Sequence, residues 1–368
     1  MLLEKTLRSA ADLAEAGLIA PARGADLDKV AARYAIAITP TSAGLIDPAD
    51  PADPIARQFL PDLAELAEGA DDLADPIGDG PHSPVPGIIH RYPDRVLLML
   101  THTCATYCRF CFRRETVGPS GGGNLSPAKL KGALAYIESD AGIWEVILSG
   151  GDPLILSPRR LGAVMAALGA IDHVKVVRLH SRVPAVEPDL ITPGMVRTLK
   201  RSGKAVYVAL HANHPRELTP AVRAACARLI DAGIPMLSQS VLLRGVNDDP
   251  EVLGDLMRAF VETRIKPYYL HQADLAPGTA HLRKSLEDGQ AVVNAIRGHI
   301  SGLCQPTYVL DIPGGYGKVP VGPTYLTTGA DGQSVVVDPW GQPHRLPRSR
   351  NRPHLTRKSA SPDRVPIG

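Results

Sequence analysis

Cys104, Cys108 and Cys111 stand within eight residues in Cys-Ala-Thr-Tyr-Cys-Arg-Phe-Cys, a spacing that lets three thiolates on one loop converge on a metal centre. A structural zinc site wants four ligands, usually as two pairs, and no second pair exists in this sequence. Cys226, on a helical pattern, and Cys304, ahead of a strand, read as small buried hydrophobes. Three cysteines with one position open fit an iron-sulfur cluster that leaves an iron for a substrate or cofactor. A second chemical feature is Asp311-Ile312-Pro313-Gly314-Gly315-Tyr316-Gly317-Lys318. It is not a phosphate-binding P-loop, because the positions that need Gly and Ser or Thr hold Ile312 and Val319. A lysine in a glycine-rich turn, near acids and sheltered from water, offers its amine as a Schiff-base nucleophile.

The elements that must position these groups alternate regularly. Short apolar runs at 96–101, 145–149, 174–179, 205–210, 236–241, 266–271 and 307–311 read as strands. Helical patterns at 126–138, 158–168, 193–202, 219–232, 251–263 and 286–300 lie between them, with Ser126 and Thr219 as N-caps, each followed by proline. Strand and helix alternating this often means parallel βαβ units. The polar clusters follow many different strands: the cysteines the first, Gly150-Gly151-Asp152 the second, His180 to Arg182 the third, His211 to His214 the fourth, Asp274 the sixth and Lys318 the last. A doubly wound sheet gathers such groups at one switch point, so an α/β fold of incomplete (β/α) barrel type is expected. Residues 1–87 read as an N-terminal helical region with a linker and 88–320 as the barrel. A short β segment at 321–342, with a hairpin at 324–328 and 334–337, precedes a basic, disordered tail at 343–368.

With 44% hydrophobic and 21% charged residues in 368, the chain can close a sizeable core, which excludes disorder for its bulk. The net charge of +2 hides seven Lys or Arg against one acid from Gly341 onward, so the body is acidic and has no basic footprint for nucleic acid. No run approaches the roughly 18 apolar residues of a membrane span. Five cysteines, an odd number, are not a disulfide framework, so a cytoplasmic chain is expected.

The cysteine triplet with Phe110 in the aromatic position, followed one βα unit later by Ser149-Gly150-Gly151-Asp152-Pro153, resembles the radical S-adenosylmethionine superfamily. The motifs His90-Arg91-Tyr92-Pro93-Asp94-Arg95, His211-Ala212-Asn213-His214-Pro215, Lys266-Pro267-Tyr268-Tyr269, the stretch 239–247 and Pro-Gly-Gly-x-Gly-Lys narrow the resemblance to its lysine 2,3-aminomutase family, over about 53–323. The resemblance implies a radical isomerase that moves the α-amino group of L-lysine to the β-carbon. Cys104, Cys108 and Cys111 would hold a 4Fe-4S cluster, and Phe110, Gly150, Gly151, Asp152, His211 and Gln239 would bind S-adenosylmethionine, Asp152 at its ammonium. Lys318 would hold pyridoxal 5'-phosphate with Arg91, Tyr92 and Arg95 at its phosphate, which arginine forks suit. Arg113 would clamp the substrate carboxylate, and Asp274 and Asp311 would take its distal ammonium. Another cationic amino acid, or β-lysine made for elongation factor P, is the alternative. The resemblance also implies an electron donor such as flavodoxin or ferredoxin. No cysteine follows Cys304, so a homo-oligomer would form without the family's C-terminal zinc motif.

Overall fold

Five helices that follow strands begin the same way, with a Ser, Thr or Asp cap followed by proline. These are Pro127–Ser139, Pro158–Gly169, Pro193–Leu199, Pro220–Asp231 and Pro250–Glu262, in a computed structural model that describes residues 5–67, 69–118 and 122–347. In each, the cap oxygen accepts an N–H of the first turn while proline occupies a position whose N–H would go unpaired, so each helix starts at a fixed residue after its strand. Ser126 and Thr219 act as expected.

The strands are β1 (Ile88–Tyr92), β2 (Arg95–Thr101), β3 (Glu145–Gly150), β4 (Val176–Ser181), β5 (Ala205–His211), β6 (Met236–Val241), β7 (Ile265–His271), β8 (Thr307–Asp311) and β9 (Lys318–Pro320). They lie in sequence order in one nine-stranded sheet, parallel from β2 to β8. The order ends at β1 and β9 without joining them, so the sheet is the partial barrel anticipated. Its two edges were not anticipated. β1 turns back on β2 through Tyr92-Pro93-Asp94-Arg95, and β9 returns antiparallel to β8 so that Asp311 pairs with Lys318. A tight Pro-Asp turn after Ile88-Ile89 is the local signal for the first hairpin.

The expected N-terminal helical region contains the helices Ala10–Glu15 and Gly24–Arg33. Leu13, Leu27, Ile38 and Phe59 are buried in the same core as Leu98, Leu148 and Leu179 of the sheet. Burying four such side chains is worth on the order of 1.5–3 kcal/mol each, which welds this region to the barrel. A second compact unit begins at Thr324. There β10 (Leu326–Thr328), β11 (Ser334–Val337) and β12 (Pro343–Arg345) form an antiparallel sheet. The expected hairpin therefore gains a third strand from residues read as tail, while the remainder of that tail, 348–368, lies outside the described residues.

Candidate active site

A cavity of about 970 Å³ runs along the parallel strands, from Arg95, Glu145, Val176 and Ala205 at the starts of β2 to β5 to the loops beyond their C-terminal ends, and all sixteen residues expected to carry chemistry border it. They arrive from β1, β2, β3, β5, β6, β8 and β9 and from the loops after β2, β3 and β7.

The cysteine loop is braced from both sides. Gly151 donates its N–H to Thr101 O at 2.6 Å, and a Cβ there would overlap the backbone of Thr103, directly before Cys104. Glycine at this point thus serves the close approach of two chain segments rather than of a ligand alone. On the other side, Arg109 Nε meets Glu65 Oε1 at 3.0 Å, and Arg114 also pairs with this carboxylate, which is fully buried. Burial pushes the thiols up, Cys111 to about 11 with Cys108 adding, and Cys104 well above its usual range with Asp152, Cys111 and Cys108 adding. Burial raises Cys108 as well, against the pull of Arg182, whose guanidinium donates to its Sγ at 3.0 Å. Three crowded thiols suit a cationic centre that would take their protons' place. Among the described residues no three His, Cys, Asp or Glu side chains converge on a single ion. A cluster that takes each thiolate on its own iron asks only that the three border one space, which they do.

Phe110 stacks edge-on against His211, with centroids 5.6 Å apart, and the buried Nε2 of His211 has no hydrogen-bond partner. Gln239 at β6 borders the same end of the cavity. Asp152 also has a structural task. Its two oxygens accept Leu154 N, Ser181 Oγ, Arg182 N and Val183 N, four donors for about four lone-pair sites. Burial raises this carboxyl and these bonds offset it, so Asp152 ties the loops after β3 and β4 together.

At the β1 edge, Arg95 lies 3.8 Å over the Tyr92 ring, and the Tyr92 hydroxyl accepts the Lys318 N–H at 2.7 Å. Arg91 binds Ile77 O at 2.6 Å and Asp79 at 3.2 Å, but its buried Nε has no partner, an orphan that fits a phosphate oxygen. Asp79 also takes Arg113 at 2.8 Å, so one carboxylate, within the segment read as linker, joins both arginines. Lys318 Nζ is ion-paired with Asp311 and lies 3.2 Å from His271 Nδ1. Burial alone would raise the Asp311 carboxyl, but His271 and Lys318 hold it far below the usual carboxylate range. Asp274 is the opposite case: burial, then the charge of Asp311, pushes it up to about 7. Two neighbouring acids whose environments separate them this widely mark a working site.

Sequence reasoning missed Glu65, Asp79, Arg182 and His271. Each acts through a partner distant in sequence, and only Arg182, inside a polar cluster after a strand, carried a local signal.

Residues 98–257 match the Radical SAM superfamily, and 293–340 match a family described as Lysine-2,3-aminomutase. The L-lysine 2,3-aminomutase of Clostridium subterminale is 45% identical over 291 residues, 79% of this chain and 70% of that protein. This chain belongs to the lysine 2,3-aminomutase family. Other members include the L-lysine 2,3-aminomutase of Methanococcus maripaludis, 40% identical over 82% of this chain and 70% of that one. The glutamate 2,3-aminomutase of Clostridioides difficile is 37% identical over 82% of this chain and 71% of its own length. Lysine 2,3-aminomutase family members are radical SAM isomerases, so the cofactors are a 4Fe-4S cluster, S-adenosylmethionine and pyridoxal phosphate, with an electron donor. Three thiols on one wall, an orphaned arginine on the other and a lysine between acids form a donor set that fits all three groups. Among the described residues no helix is long and apolar enough to cross a membrane.

Proposed function

We propose that the enzyme converts L-lysine to β-lysine, with residues 88–320 carrying every site. The observation that carries this reading is the pair of acids beside Lys318. Asp311 is already paired with a primary ammonium, the same group that ends a lysine side chain, and Asp274 borders the same space. A glutamate side chain placed there would meet like charge and go unbound.

When bound, the cluster and S-adenosylmethionine supply a carbon radical, and pyridoxal phosphate supplies the π-system across which nitrogen migrates. Cys104, Cys108 and Cys111 hold the cluster. Phe110, His211, Gln239 and the backbone at Gly150 and Gly151 surround the adenosyl group, while Asp152 acts by fixing the loops. Arg91, Tyr92 and Arg95 grip the phosphate, and Lys318 carries the cofactor through its amine. Arg113 holds the substrate carboxylate while Asp274 and Asp311 hold the far ammonium, so both ends of lysine are pinned and the β-carbon is set toward the cluster side. The electron donor is of flavodoxin or ferredoxin type, and the setting is cytoplasmic.

The test is anaerobic incubation of the fully loaded protein with lysine, ornithine or glutamate and identification of products by mass spectrometry. The expected outcome is β-lysine from the wild type and none from Lys318→Ala, which still loads its cluster. Turnover of glutamate in preference to lysine would overturn the substrate assignment, and β-lysine from Lys318→Ala that of Lys318.

A further inference from the structure

His271 ends β7 facing the tip of β9, where its Nδ1 lies 3.2 Å from Lys318 Nζ and 3.4 Å from Asp311 Oδ2. Nδ1 therefore sits between a proton donor and an acceptor that could hold the charged ring. We propose that His271 is the acid–base partner of Lys318, holding a proton of the lysine amine while that amine is joined to, or released from, the carbonyl carbon of pyridoxal phosphate. The proposal rests on the reading of Lys318 as the lysine that carries this cofactor.

The balance is closed. The Lys318 ammonium gives one proton to His271 Nδ1, and the freed electron pair forms the bond to the carbonyl carbon. A second amine hydrogen passes to the former carbonyl oxygen. The proton held by His271 then joins that oxygen, which leaves as water as the carbon–nitrogen bond becomes double. The third hydrogen stays on nitrogen, His271 ends neutral as it began, and release runs the same transfers backwards.

The other groups around Lys318 are unsuited to the task. Asp311, from β8, is too weak a base, held ionised by its two neighbours, and Asp274, in the loop after β7, feels Lys318 only through space. Tyr269, on the same strand with its ring 5.5 Å from Lys318 Nζ, is pushed by burial to keep its proton. His180 from β4 and His211 from β5 feel the charge of His271 only through space. Burial, followed by the charge of Lys318, lowers His271 while Asp311 opposes, so the ring is neutral near pH 7 and free to accept. A base matched in this way contributes roughly 10²–10⁴-fold to a proton-transfer step.

The test mixes cluster-loaded protein, freed of pyridoxal phosphate, with that cofactor and follows the visible absorbance of the lysine-bound form. His271→Asn should slow uptake by roughly 100-fold, with the same final absorbance and an unchanged cluster spectrum. The wild-type rate should fall at acid pH along a limb missing from His271→Asn. In His271→Ala, free imidazole should restore the rate in proportion to its concentration. Uptake by His271→Asn at the wild-type rate, or a slow His271→Ala that imidazole leaves slow, would overturn the proposal. Borohydride reduction and peptide mapping separate the two layers. A label on Lys318 with unaltered His271→Asn kinetics removes His271 alone, and a label on another residue removes the reading of Lys318 as well.

Discussion

The Tyr92 hydroxyl accepts the backbone N–H of Lys318 at 2.7 Å, joining β1 to β9 across the opening of a sheet whose strand order never closes. Tyr92→Phe removes one neutral hydrogen bond, about 1 kcal/mol, and leaves an edge N–H without its partner. The expected effect is a roughly fivefold weaker affinity for pyridoxal phosphate, in line with that energy, with the cluster spectrum unchanged. An absorbance titration of the cofactor into both proteins checks it, and equal affinities would show that the latch is dispensable.

Asp274 gives the site a pH dependence of known sign. Its carboxyl is raised from 3.8 to about 7 by burial and by Asp311, so the folded chain keeps a proton that the unfolded chain releases. Through this group stability falls as pH rises from about 4 to 7 and is level above that. Substrate behaves in the opposite sense, because an ammonium prefers the ionised acid. The KM for lysine should therefore fall as pH rises toward about 7 and then flatten, by up to tenfold per pH unit on the acid side. Asp274→Asn should bind more weakly at high pH and lose that limb. A wild-type KM independent of pH in this window would contradict the assignment.

Gly151→Ala tests the bracing of the cysteine loop. Its new Cβ would overlap the backbone of Thr103, which cannot give way as a flexible side-chain tip would. The loop must shift, and a misplaced ligand set typically loses about 10–100-fold in metal affinity. Iron content after reconstitution should drop while pyridoxal phosphate uptake persists. Full iron content would show that the loop tolerates displacement.

The barrel was legible because its signals are local. Apolar runs, proline-led caps and the polar groups behind each strand are read within a few residues, and the cysteine triplet and the lysine loop are equally compact. His271 shows where such reading stops. It is the last residue of an expected strand, yet its partner lies 47 residues on and nothing in the adjoining sequence names it. Asp79 was hidden differently: Pro, Asp and Gly around it spell a linker, and only the fold brings it between Arg91 and Arg113. Asp152 was found as a site residue, but a carboxylate after two glycines says nothing of the four donors that converge on it.

Glu65 carries a consequence for how the protein is made. Its carboxylate is ion-paired with both Arg109 and Arg114, one on each side of the last cluster cysteine, and without it both buried guanidinium groups would lose their counter-charge, a loss of about 3–5 kcal/mol. During synthesis Glu65 leaves the ribosome ahead of the cysteines, but the brace closes only when Arg109 and Arg114 follow and pair with it. A chain deprived of its first hundred residues would present the same three thiols without the Glu65 carboxylate, leaving the loop its contacts with Gly151 and Arg182.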